Sequence, residues 1–178
     1  EIAELTPTGF KVITLSAAPA EKQPTQVDWS ADTYDKGDFG HYTLKEIYEQ
    51  PESIMRTWRG RVDKRFQTAH LGGLNMEPRE LLAYRRIRIL GCGSAYLSGF
   101  IGARMIEQLA RIPCDAEAAS EFRYRNPVIE PDTLYIAVSQ SGETFDTLAA
   151  VQEIKRKGGK VLGVVNVVGS SIARACEG

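Results

Sequence analysis

A chain of 178 residues, 43% hydrophobic and 25% charged, is long enough to bury one sizeable core and carry an extra segment. Its net charge of -1 and pI near 6.2 supply no general field for nucleic acid or an anionic membrane, so any anion has to be held by a local site. No apolar run is long enough to span a bilayer, the first residues lack the layout of a signal peptide, and Cys92, Cys114 and Cys176 form no C-x-x-C pair; a cytoplasmic chain with reduced, mostly buried thiols and neither disulfide nor zinc site is expected.

In chain order, Glu1 to Leu5 and Phe10 to Leu15 are alternating runs joined by Thr6-Pro7-Thr8-Gly9, a hairpin signal that needs a further sheet to be stable. Residues 16–38 are polar, with Pro19, Pro24 and Gly37 and no sustained period, and read as a linker. From His41 to Trp58, the residues Leu44, Ile47, Tyr48, Ile54, Met55 and Trp58 fall at helical spacing. Pro51 there opens a second helical piece, which predicts a bent amphipathic helix. Residues 68–76 are loop-like, and Glu77 to Tyr84 reads as a helix with Pro78 near its first turn.

From Arg86 strands and helices alternate. Strands are predicted at 87–90, 114–118, 134–138 and 161–165, with helices at 95–110 and 142–157 and another starting near Ile172. This pattern predicts an α/β fold, a doubly wound parallel sheet with helices on both faces. In such a sheet ligands bind beyond the carboxyl ends of the strands, where the strand order reverses. With a flavodoxin-like order, the loops after the first and third strands meet there. These are Gly91-Cys92-Gly93-Ser94-Ala95 and Ser139-Gln140-Ser141-Gly142-Glu143-Thr144. Hydroxyls of Ser139, Ser141 and Thr144 and free N–H groups at a helix start can converge on a phosphate, with Gly142 allowing close approach. Ordinary helix capping explains one such hydroxyl; three, with Gln140 and Gly142, favour a ligand. The first loop is not a G-x-G-x-x-G fingerprint, and no acidic residue caps the second strand for a nucleotide ribose. Cys92 reads as a small residue shaping the turn.

Three segments carry a resemblance: Leu90-Gly91-Cys92-Gly93-Ser94, residues 119–125 (Ala-Ser-Glu-Phe-Arg-Tyr-Arg) and residues 139–144. Together they resemble the first sugar isomerase (SIS) domain of the glutamine:fructose-6-phosphate aminotransferases. Lys45-Glu46-Ile47-Tyr48-Glu49-Gln50-Pro51 resembles the lead-in helix of that family, which simpler phosphosugar isomerases lack, and residues 2–15 resemble the end of its glutaminase domain. The resemblance implies three segments: 1–38, the end of a glutaminase domain and a linker; 39–84, a helical lead-in; and 85–178, an incomplete phosphosugar-binding SIS domain. It implies that Cys92, Gly93, Ser94, Ser139, Gln140, Ser141 and Thr144 bind fructose 6-phosphate or glucosamine 6-phosphate. Ala95 departs from the family, in which a second hydroxyl residue is common at that position.

The family's cysteine nucleophile, Schiff-base lysine, glutamate and histidine correspond to positions outside these 178 residues. A fragment of a larger enzyme, inactive alone and needing no cofactor or metal, is therefore expected. Its expected partners are a phosphosugar, the glutaminase and second SIS domains, and a second copy in a homodimer, with neither nucleic acid nor membrane. The alternatives are a non-catalytic phosphosugar-sensing module, disfavoured because no helix-turn-helix precedes the sheet, and a stand-alone phosphosugar isomerase, disfavoured by residues 45–51. His41 and His70 read as surface residues. Glu121, Arg123 and Arg125 read as charges pairing with one another or with a neighbouring domain. Asn166 follows the fourth strand, Ser170 and Ser171 read as helix caps, and Glu143 as stabilising a helix start, since a carboxylate aimed at a phosphate would repel it.

Overall fold

The computed structural model describes residues 1–23 and 35–178, and these belong to two units, Glu1–Trp58 and Arg59–Gly178. In the first unit β1 (Ile2–Thr6) and β2 (Gly9–Ile13) form the expected antiparallel hairpin, closed at Pro7-Thr8 and registered from Ile2 opposite Ile13. Ile2, Leu5 and Phe10 stay exposed, because a two-stranded ribbon has no second layer to cover them. Residues 24–34 of the predicted linker lie outside the described residues. Helix α1 (Tyr42–Trp58) differs from the expectation of two pieces: it is assigned as one helix with Pro51 inside it. The ring removes a single donor, and the turns on either side carry the helix across. None of its residues is buried.

The second unit begins with β3 (Val62–Asp63) and β4 (Thr68–Ala69), a minimal antiparallel ladder inside a stretch expected to be loop. Helix α2 is Pro78–Leu81, shorter than the predicted 77–84. Its end tightens into three-residue turns, with Ala83 N–H on the Glu80 carbonyl and Tyr84 N–H on that of Leu81, before the chain extends into the sheet.

Strand β5 (Arg86–Gly91) leads to α3 (Ser94–Ala110), β6 (Cys114–Ala118), α4 (Ala119–Tyr124), β7 (Thr133–Ser139), α5 (Phe145–Arg156), β8 (Val161–Val165) and α6 (Ser171–Ala175). The four strands form one parallel sheet in the order β6-β5-β7-β8. This is the predicted α/β arrangement, with the order reversing between β5 and β7. Pleat alternation sends the two strand faces to different helices. Ile87, Ile89, Cys114, Ala116, Ile136 and Val138 pack with Ala103 of α3. Leu90, Tyr135, Ala137 and Val161 pack with Phe122, Val151, Ile154 and Ile172 on the α4, α5 and α6 side. Gly99 lets α3 approach β5, since a Cβ there would lie 2.7 Å from Ile89 Cγ2.

Where the short α4 leaves part of β5 and β6 uncovered, the sheet face is closed by charge. Asp115 accepts from Arg88 Nε at 2.8 Å and from Arg86 Nη1 at 3.2 Å, and Glu117 takes Arg125 in a two-point contact at 2.6 and 2.8 Å. Burial pushes the Asp115 carboxyl up, but the Arg88 hydrogen bond and the charges of both arginines outweigh it, so its pKa is lowered. No helix among the described residues is long and apolar enough to cross a membrane.

Candidate functional site

Strand β5 ends at Gly91, which lies where the first turn of α3 and the Val138 carbonyl converge; a Cβ would sit 2.9 Å from Tyr96 N and 3.2 Å from Val138 O. Gly93, at φ +55°, stands at the N-cap of α3, so that helix starts without a side-chain cap, and Ser94 is exposed in its first turn. Cys92 is half-buried against the core, with Sγ 3.6 Å from Oγ1 of the fully buried Thr147 in the first turn of α5. This contact ties the first predicted loop to the first turn of the helix that follows the second. Thr147 was not among the sequence candidates, because its position in a regular helical run gives no sign of the partner across the sheet.

The second loop follows β7. Ser139 is buried, and its hydroxyl is used inside the loop: it accepts the Gly142 N–H at 3.0 Å and lies 3.1 Å from Thr144 Oγ1. Ser141 is exposed and accepts the Glu143 N–H at 3.2 Å; Gln140 is exposed. Helix α5 begins at Phe145 rather than at the predicted residue 142, because Gly142 takes φ +68° and turns the chain out of helix. Thr144 occupies the N-cap, but its side chain accepts no hydrogen bond from the helix's first-turn N–H groups. Both α3 and α5 therefore start with first-turn N–H groups that no capping side chain takes, at adjacent strand ends.

Glu143 stabilises a helix start, but of α6 and not of its own helix. Its carboxylate accepts the Ser171 N–H at 2.8 Å, and hydrogen bonds from Ser171, with Arg174 nearby, hold its pKa below the ordinary value. The expected capping by Ser170 is corrected accordingly. Ser170 sits at the N-cap of α6, yet its hydroxyl makes no cap bond, is buried against Gly142, and has no partner among the described residues. Ser171 Oγ instead receives a bond from Arg174 Nη2 at 3.3 Å. Asn166, His41 and His70 are exposed. Arg123 pairs with Asp146 at 2.8 Å between the rings of Tyr124 and Phe145, and Arg125 pairs with Glu117, while Glu121 is exposed.

The SIS domain family matches residues 80–177, the part of the chain that carries both loops. The chain belongs to the SIS domain family. This SIS chain is 42% identical over 176 residues to the glutamine–fructose-6-phosphate aminotransferase (isomerising) of Symbiobacterium thermophilum, covering 99% of the chain and 29% of that protein. It is 45% identical over 174 residues to the same-named protein of Chlorobaculum tepidum, covering 98% of the chain and 28% of that protein. Among solved structures it superposes on the C-terminal domain of glucosamine-fructose-6-phosphate aminotransferase from Francisella tularensis with a TM-score of 0.69 and 35% identity, over 80% of the chain and 39% of that structure. The chain thus spans under a third of the length of the curated relatives it matches.

Proposed function

We propose that this chain is the phosphosugar-binding SIS module of a longer glutamine–fructose-6-phosphate aminotransferase, and that fructose 6-phosphate or glucosamine 6-phosphate binds across the loops 91–95 and 139–144. The observation that carries the reading is the pair of helix starts, α3 and α5, standing uncapped by side chains and side by side where the strand order reverses. First-turn N–H groups and helix dipoles favour an anion there without any lysine or arginine. Cys92, Gly93 and Ser94 supply the first wall, and Gln140, Ser141 and Thr144 the second. Ser139 shapes the second wall through its bonds to Gly142 and Thr144. Similarity to the aminotransferases over nearly the whole chain supports the choice of sugar phosphate.

Under this reading residues 1–38 close a glutaminase domain, residues 39–84 lead in, and residues 85–178 form the first of two SIS domains. The parent enzyme acts in the cytoplasm as a homodimer, transferring the glutamine amide nitrogen to fructose 6-phosphate. The 178 residues alone turn nothing over, because isomerisation needs a base within hydrogen-bond reach of the sugar carbons. The carboxylate in the second loop, Glu143, is committed to α6.

Calorimetry with fructose 6-phosphate on Ser141→Ala and Thr144→Ala tests the site. Each lost bond to the phosphate is expected to weaken binding by roughly 1.5–3 kcal/mol. Unchanged affinity in both variants removes the assignment. Incubation with fructose 6-phosphate and either glutamine or ammonium is expected to yield no glucosamine 6-phosphate; turnover abolished by Glu143→Gln would instead make Glu143 the base.

A further inference from the structure

Two consecutive residues of the second loop hold two consecutive residues of α6. The Gly142 carbonyl accepts the Ile172 N–H at 2.9 Å, and the Glu143 carboxylate accepts the Ser171 N–H at 2.8 Å. These donors belong to the first turn of a helix and have no partner within it, and the N-cap residue Ser170 leaves them free for the loop. On its inner side the same Gly142 gives its own N–H to Ser139 Oγ, which is also in contact with Thr144 Oγ1. The loop is therefore held from within by Ser139 and from outside by α6. Glycine at 142 is what permits the close approach, since a Cβ there would overlap the Ser170 side chain and lie 2.7 Å from Val165 Cγ1.

We propose that Glu143 is a positioning residue for ligand binding: by clasping the start of α6, its carboxylate keeps residues 139–144 in the shape that presents their hydroxyls and N–H groups to the phosphate. The inference deepens the phosphosugar reading above and rests on it. It also explains how a carboxylate is accommodated beside an anion site. The charge is directed to two groups that need it, the Ser171 N–H and the nearby Arg174, rather than towards the ligand.

The test uses the 178-residue chain and reads fructose 6-phosphate affinity, thermal midpoint and amide exchange separately. Glu143→Ala is expected to weaken binding tenfold or more and to speed exchange at the Ile172 amide at least tenfold, with a small change in midpoint. Glu143→Gln, which keeps an acceptor oxygen, is expected to restore affinity to within about threefold. Ser171→Pro removes the donor instead of the acceptor. Its backbone setting suits proline, because the first helical position needs no N–H bond within the helix and Ser170 is already extended at φ −65° and ψ 167°. It is expected to reproduce the loss of affinity, and the double variant to be no worse than either single one.

A role confined to stability would lower the midpoint and leave affinity unchanged well below the transition; that result in Glu143→Ala overturns the proposal. Additive losses in the double variant overturn it as well. If the unsubstituted chain does not bind fructose 6-phosphate, the phosphosugar reading fails. Exchange at Ile172 in Glu143→Ala then decides the clasp by itself, unchanged protection overturning it.

Discussion

Gly142 combines two constraints that different physics imposes. Its φ of +68° is a conformation that side chains with a Cβ adopt at a cost, and its neighbours Ser170 and Val165 leave no room for a methyl group. Gly142→Ala is therefore expected to lose roughly 2 kcal/mol or more of stability, the backbone penalty adding to the overlap. Urea denaturation followed by circular dichroism measures this, and a loss below about 0.5 kcal/mol would show that the loop relaxes away from α6. In the sequence, Gly142 reads as the residue that lets the backbone approach a ligand. Its packing against Ser170 and Val165 was not legible, because Ser170 lies far along the chain and only the fold brings it to the loop. The role of Glu143 was half legible for the same cause: a carboxylate stabilising a helix start was expected, but the helix is non-local.

Among the elements, the ladder on β5 and β6 shows how a short helix is compensated. Arg86 and Arg88 alternate with apolar residues on a central strand, and their partner Asp115 stands opposite Arg88 in the parallel register. The lowered pKa of Asp115 has a definite sign in stability. Its contribution is fully present above the ordinary carboxylate value, near about 3.9, and is lost as the pH falls through the lower value of the folded state. Asp115→Asn is expected to be less stable than the unsubstituted chain at pH 7, with the gap closing progressively in acid below about pH 4. Thermal midpoints of both proteins from pH 7 to about pH 2 test this, and a gap that widens in acid would contradict it.

Strands β7 and β8 were readable as apolar blocks, and β5 and β6, which carry charges, from their place in the alternation of strand and helix. The order β6-β5-β7-β8 is the flavodoxin-like one on which the meeting of the two loops was conditioned. The elements missed or misjudged are short ones. The ladder of β3 and β4 is two residues on each strand, too few to show a period, and α2 stops after four because its last carbonyls close three-residue turns. The second helical piece expected to open at Pro51 is part of one helix.

For the molecule as a whole, the cysteines report how firmly the second unit is closed. Burial pushes the thiols of Cys114 and Cys176 up to about 11 each, so few thiolates form near neutrality. Both are expected to react slowly with iodoacetamide at pH 8 in the native state and at the rate of a free thiol once unfolded. Mass spectrometry of the modified peptides distinguishes the two states. Rapid native labelling at Cys114 would mean that the α3 face of the sheet opens often.

The two loops at the sheet's switch point contain no lysine and no arginine, and the acidic side chain they carry is turned to α6. Attraction for an anion in such a place comes from N–H groups and hydroxyls at contact distance, which mobile counter-ions screen far less than they screen charged side chains on an open surface. Ionic strength is therefore a discriminating variable. Raising potassium chloride from about 0.05 M to about 0.5 M shortens the Debye length from roughly 14 Å to roughly 4 Å, yet fructose 6-phosphate affinity is expected to stay within about twofold. A phosphate held by distant cations would lose its affinity steeply over the same range, so a titration repeated at the two salt concentrations separates a contact cradle from a diffuse electrostatic one.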